Sequence, residues 1–235
     1  MFQNITPITK NIIILNVIVF ILAMLIPQSY QYLAAFFPTS PYFKSWQIIT
    51  HMFMHGGFMH IAFNMLTFAS FGPVLERFLG EKKFVILYFL SGLGAFALFN
   101  LWEYYQLYQD AQPLIVEGLQ FSDILKGDFQ KFPVRLEGNA QNIVNILSTP
   151  MVGASGAIFG VIAAFSLLYP NAEMFIMFIP FQIKAKVLFP ISIIVSLYLG
   201  FSGSGGNIAH FAHIGGALVG YILIKIWGRN RYRIN

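Results

Sequence analysis

The chain has 235 residues, a formal net charge of +5, 57% hydrophobic and 10% charged residues, and no cysteine. This balance lies far from that of a soluble domain, and the missing cysteines exclude disulfides, a cysteine nucleophile and thiolate metal sites. With a mean hydropathy of +0.68, the length suits roughly six membrane spans of about 20 residues each.

In chain order, apolar runs predict spans at 11–27, 50–71, 84–102, 150–169, 185–201 and 207–227. The first follows Lys10 in the manner of a signal peptide, but five further spans follow and no small-residue cleavage site stands out. We therefore read it as an uncleaved helix. The loop at 28–47 is apolar and aromatic and belongs on or in the outer leaflet. A charged turn runs from Gly72 to Lys83. Residues 103–147 form the only long polar stretch, and a loop of that length is usually functional or disordered. Its apolar positions (Leu114, Ile115, Val116, Phe121, Ile124, Leu125) predict a short helix or two on the membrane surface. The run 172–181 is short and contains Pro180, which suits an interfacial segment. Ser202-Gly203-Ser204-Gly205-Gly206 suggests a mobile lid, with span 5 as a lateral gate. The expected architecture is all-α: one membrane domain over 1–235, a six-helix bundle with an outer-face insertion at about 103–147.

Charge distribution gives orientation. With the N-terminus placed in the cytoplasm, ten lysines and arginines fall inside (Lys10, Arg77, Lys82, Lys83, Lys184, Lys186, Lys225, Arg229, Arg231, Arg233) and four outside (Lys44, Lys126, Lys131, Arg135). That asymmetry predicts a multi-pass protein with both termini cytoplasmic, and the short tails suit a bacterial inner membrane. It also accounts for the net charge without nucleic acid.

Chemistry concentrates in a few polar groups within apolar sequence, where such groups tend to be functional. Ser155, in Gly153-Ala154-Ser155-Gly156, opens span 4, and His213, in Ala212-His213-Ile214-Gly215-Gly216, opens span 6. A serine and a histidine are the nucleophile and base of a minimal acyl-transfer site. Taken alone, Ser155 could simply bond back to its own helix, and His213 could be a satisfied core histidine. Gly156 and Gly160, and Gly216 and Gly220, form small-residue faces that let helices approach closely. If those faces meet, Ser155 and His213 lie near the same end of parallel helices. His210 competes for the base role but points about 60° away on a helix of 3.6 residues per turn. No acid within a span can orient His213, so a dyad is expected, with Phe159 placed to lie under the imidazole. His60 and Asn64, four apart on one face of span 2, carry N–H groups suited to a developing oxyanion. Their alternative role is interhelical hydrogen bonding. His51, His55 and His60 lack the glutamate of a zinc-binding His-Glu-x-x-His pattern, so no metal is expected. His51 and His55 are assigned instead to backbone hydrogen bonds that anchor the first loop.

These motifs resemble the rhomboid intramembrane serine proteases of the six-helix bacterial kind. The resemblance runs from Trp46 to about Gly220 apart from 103–147. It rests on Trp46, His51-x-x-x-His55, His60-x-x-x-Asn64, Glu76, Gly80, Gly153-Ala154-Ser155-Gly156 and Ala212-His213-x-Gly215-Gly216 in order. It implies Ser155 as nucleophile, His213 as general base, and His60, Asn64 and the Ser155 N–H as the oxyanion hole. No cofactor is implied, and the expected partners are the lipid bilayer and single-spanning membrane proteins cut in or beside their transmembrane helix. The alternative is a catalytically silent rhomboid-like protein that binds membrane clients. Two positions depart from the family pattern: Gln47 stands where arginine is common, and Phe159 where tyrosine is common.

Overall fold

A computed structural model describes residues 5–132, 138–175, 182–202 and 209–228. In chain order the helices are α1 (Pro7–Leu25), α2 (Ser29–Leu33), α3 (Gln47–Thr50), α4 (Phe58–Leu79), α5 (Glu81–Val116), α6 (Phe121–Lys126), α7 (Asn139–Ser148), α8 (Ser155–Leu168), α9 (Ala185–Ser202) and α10 (His210–Gly228). A 3-10 turn at His51–Phe53 links α3 to α4, and a two-stranded antiparallel hairpin, β1 (Glu173–Phe175) with β2 (Gln182–Lys184), links α8 to α9. Five helices, α1, α4, α5, α9 and α10, are long and apolar enough to cross a membrane. The protein is thus an integral, multi-pass, mainly helical bundle, as the composition predicts.

Several boundaries differ from the expected spans. The second span begins at Phe58 and not near 50, because Thr50 to Gly57 are consumed by the end of α3, the 3-10 turn and an extended link. The third helix does not stop near 102. It continues to Val116 and reaches 36 residues, about 54 Å at 1.5 Å per residue, against a hydrocarbon core of about 30 Å. Hydropathy locates the part that lies in lipid; it says nothing of a helix that leaves the membrane without breaking. The fourth apolar run is helical only from Ser155, giving 14 residues, about 21 Å. Residues 150–154 approach it as non-helical chain. Of the expected interfacial segment, 173–175 form β1, and 176–181 lie outside the described residues. So does the expected lid beyond Ser202.

The bundle has two ends. At one, Thr6 and α1 meet the last turns of α4, Phe78 touches Tyr169, and Lys83 lies over the Trp227 ring. At the other, Trp102 of α5 stacks on Phe211 of α10 and meets Phe201 of α9 edge-on. Ser155 and His210 begin their helices at this second end.

The centre of the bundle is built from backbone contact between α5, α8 and α10. A Cβ on Gly216 would collide with the Gly156 carbonyl, one on Gly220 with the Gly160 carbonyl, and one on Gly215 with the Gly94 carbonyl. The paired glycines run in the same direction, so α8 and α10 are parallel, as their spacing predicts. Ser91 and Ala95 of α5 fill the third side against Gly160 and Gly156. Without a hydrophobic drive between helices in lipid, such close packing is the main source of association.

Glu76 fixes α1 to α4. Its buried carboxylate accepts from Thr6 Oγ1 (2.5 Å), the Ile8 N–H (2.9 Å), the Thr9 N–H (2.8 Å) and Thr9 Oγ1 (2.7 Å). Pro7 starts α1 with no N–H to satisfy, so the carboxylate sits at a helix N-terminus, where unpaired donors and the helix dipole favour an anion. We expect Glu76→Ala to destabilise the fold by about 3 kcal/mol, since it strands several buried donors. The thermal midpoint in detergent should fall clearly; an unchanged midpoint would mean that water replaces the carboxylate without cost.

Candidate active site

Residues 149–154 carry the chain down to the N-terminus of α8. Met151 exchanges both backbone hydrogen bonds with Ala35 (3.0 and 2.7 Å), and the Gly153 N–H donates to the His51 carbonyl (2.9 Å). Gly153 has φ +120°, a conformation that side chains strongly disfavour. The turn it makes delivers Ala154 and Ser155 into the first turn of α8. The N–H groups of that turn have no carbonyl within the helix to bond.

Ser155 Oγ lies 3.0 Å from His213 Nε2. The His213 ring is stacked on Phe159, centroids 4.2 Å apart and planes within 2°. Phe159 is one turn beyond Ser155 on α8, so one helix carries both the hydroxyl and the platform under the imidazole. His210, the rival for that place, is buried, and its ring lies 6.1 Å from that of His213 in an edge arrangement. It makes no hydrogen bond to Ser155. The structure therefore brings Ser155 together with His213 and leaves His210 behind it.

His60 comes to the same space from α4. A Cβ on Gly153 would lie 2.8 Å from His60 Nε2 and 3.7 Å from Ser155 Oγ. His60 Nδ1 accepts from the Gly56 N–H (3.4 Å), which leaves Nε2 to carry the proton of a neutral ring and aims an N–H toward Gly153. Asn64, one turn along the same face of α4, is buried, and its amide nitrogen has no hydrogen-bond partner among the described residues. A buried unpaired donor is uncommon and costly.

The first loop supports this arrangement through bonds that the motif reading did not give. Gln47 is completely buried. Its Oε1 accepts from the N–H groups of Lys44 (3.0 Å) and Phe36 (3.5 Å), and its Nε2 donates to the Gln31 carbonyl (3.0 Å). The Trp46 indole donates to the Tyr32 carbonyl (2.8 Å). A neutral amide thus fastens the loop where the family pattern favours arginine. Of the two histidines expected to bond backbone, His51 does: Nδ1 donates to the Gln47 carbonyl (2.8 Å). Burial pushes its pKa down to about 4, so the ring is neutral. At His55 the backbone partner within reach is Phe53, and the contact is looser. Neither ring nitrogen has a well-formed hydrogen bond among the described residues, and the ring packs edge-on against His60 at 5.1 Å. Burial first, and then the neighbouring His60, push its pKa to about 4.

The class of protein that emerges is a helical membrane bundle that holds a serine and a histidine in hydrogen-bond contact beside buried donors. Comparison with known proteins makes the assignment specific: the Rhomboid domain matches residues 42–119 and 124–230, and the chain belongs to the rhomboid family. Rhomboid protein 1, mitochondrial, of Saccharomyces cerevisiae is 30% identical over 175 residues, covering 74% of this chain and 40% of that protein. Rhomboid protease AarA of Providencia stuartii is 28% identical over 187 residues, 76% of this chain and 54% of that protein. Rhomboid protease GluP of Bacillus subtilis is 28% identical over 187 residues, 78% of this chain and 26% of that protein. The chain thus spans 26% to 54% of the length of these relatives. Two of these relatives carry the name rhomboid protease.

The crowding around Gly153 yields a direct expectation. Gly153→Ala combines a disfavoured φ with a methyl group against the His60 ring, and should cost about 1–3 kcal/mol. Thermal unfolding of the purified variant measures this; a midpoint equal to wild type would show that the loop has room to relax.

Proposed function

We propose that the protein is an intramembrane serine endopeptidase that cleaves transmembrane segments of membrane proteins by a Ser155–His213 dyad. The observation that carries the reading is the 3.0 Å contact between Ser155 Oγ and His213 Nε2 at the start of two buried helices. With Nδ1 holding the ring proton, His213 Nε2 takes the proton of Ser155 as Oγ attacks the substrate carbonyl carbon. The negative oxygen of the tetrahedral intermediate is met by His60 Nε2–H, the Asn64 amide and the Ser155 N–H. The C–N bond then breaks, the His213 proton goes to the leaving amine, and water activated by His213 hydrolyses the acyl-enzyme. No carboxylate orients the imidazole; the Phe159 ring holds it by stacking.

The substrate class is the one that the rhomboid resemblance implies. A peptide bond within a helix is shielded by its own hydrogen bonds, so a segment that unwinds readily is favoured, as expected of single-spanning proteins with helix-weakening residues. Entry is assigned to the side of α9, which buries only Ala185 and Ser196 among its described residues and is the least embedded of the long helices. Water reaches Ser155 from the outer face. The topology that goes with this has both termini in the cytoplasm of a bacterial cell, and one domain over 1–235.

A fluorophosphonate probe tests the reading on the detergent-solubilised protein. Wild type should label, and Ser155→Ala and His213→Ala should not. No labelling of folded wild type would favour a client-binding rhomboid-like protein instead. Asn64→Ala and His60→Ala should still fold, but each should lower kcat on a transmembrane reporter substrate by about 10²-fold or more, the usual loss for one oxyanion donor. Unchanged kcat in both variants would remove α4 from the oxyanion site.

A further inference from the structure

The part of α5 that projects beyond the membrane does not stand alone. Leu107 and Leu114 of α5, Ile124 of α6, and Ile143 and Leu147 of α7 form a second apolar core, separate from that of the bundle, and Phe37 of the first loop is part of it. These side chains are almost fully buried. The 103–147 insertion is therefore a packed platform at the Ser155 end of the molecule, and the first loop is anchored in it.

We infer that this platform is a brace that sets the position of Ser155, acting through residues 147–153. The inference rests on the reading of Ser155 as nucleophile. The chain leaving α7 is tied to the first loop at three successive points before it reaches the serine. Ser40 Oγ donates to the Leu147 carbonyl (2.6 Å), Met151 pairs with Ala35, and the Gly153 N–H bonds the His51 carbonyl. Residues 149–154 contribute no helix of their own, so their backbone groups depend on these outside partners at a depth where water is scarce. Both sides of the seam, α7 and the Phe37 segment, are set by the same apolar core. Loosening that core moves the two sides independently and releases the chain that ends at Ser155. Reaction geometry is sensitive to such slack, since a displacement of about 1 Å can cost about 10²-fold in rate. Ile143, Leu107 and Ser40 are positioning residues in this account, and none touches substrate.

The test uses the whole protein and the rate constant of fluorophosphonate labelling, read at a temperature where thermal melts show every variant to be folded. Ile143→Ala empties part of the platform core and should slow labelling about tenfold. The chain has no cysteine, so Ala35→Cys with Met151→Cys introduces a single pair. Their Cα atoms, about 5.5 Å apart as a hydrogen-bonded antiparallel pair, suit a disulfide. Oxidised, this cross-link should return the Ile143→Ala protein to within about twofold of the wild-type rate, because it fixes the seam without refilling the core. Reduced, it should not. Labelling of Ile143→Ala at the wild-type rate, or a loss that the oxidised cross-link leaves unrepaired, would overturn the brace. Should the alanine variant not fold, Ile143→Val gives a smaller loss that the cross-link must still repair. A wild-type protein that fails to label would overturn the nucleophile reading and is told apart by that control.

Discussion

The constraint on which the rest depends is that α8 and α10 lie backbone against backbone. Glycine at 156, 160, 216 and 220 removes every side chain that would hold the two helices apart, and the usual axis separation of packed helices is 8–10 Å even with side chains between. At such close approach the first turns of the two helices are adjacent. A short hydroxyl and an imidazole can then meet without long, flexible arms. Ser155 has only one side-chain torsion before Oγ, so the helix position decides where the oxygen goes. His213 is held by a ring on the same helix as the serine, which makes the contact a property of one helix pair.

Two groups of buried polar side chains stand out in this bundle. Glu76, Gln47 and His51 are buried and bonded, Glu76 and Gln47 joining segments distant in sequence and His51 bonding back to the Gln47 carbonyl one turn earlier. A fully satisfied buried network specifies one arrangement, because any slip leaves charged or amide groups unpaired. Asn64 and His55 are buried without such satisfaction among the described residues, and both lie within one helical turn or one ring contact of His60. An unpaired donor is an unfavourable feature of the resting fold that a developing negative charge can relieve. The same contrast appears at Ser155, where the helix starts inside apolar surroundings and leaves its first N–H groups free. Around the Ser155–His213 contact, Asn64, His55 and His210 keep amide or ring nitrogens without a well-formed hydrogen bond among the described residues.

The sequence carried the six apolar runs, the glycine faces and the motif order, because each is a pattern of residue type at fixed spacing. Periodicity alone placed Gly216 opposite Gly156, and it put Phe159 one turn from Ser155. What it did not carry depends on how chain segments meet. The start of α4 at Phe58 was not legible, since Ile48 to Gly57 are as apolar as a span yet turn twice. Nothing in the local sequence marks Gly153 as the residue with positive φ among the glycines nearby. The fate of Gln47 was equally hidden: a glutamine looks like a surface residue until Phe36, Lys44 and Gln31 close around it.

The short fourth helix draws these observations together. A helix that crossed the whole membrane would begin outside it, with its first N–H groups in water. By starting only at Ser155, α8 moves that N-terminus inward and spends the remaining depth on five residues of non-helical chain. Non-helical chain in an apolar setting needs outside partners for its peptide groups, and Ala35 and His51 supply them to Met151 and Gly153. The loop can do so only because Gln47 and Trp46 hold its own backbone in place. A buried helix start and a tightly bonded loop are therefore one structural solution: the chain that leads to the donors at Ser155 is held at depth through the Met151 and Gly153 N–H groups.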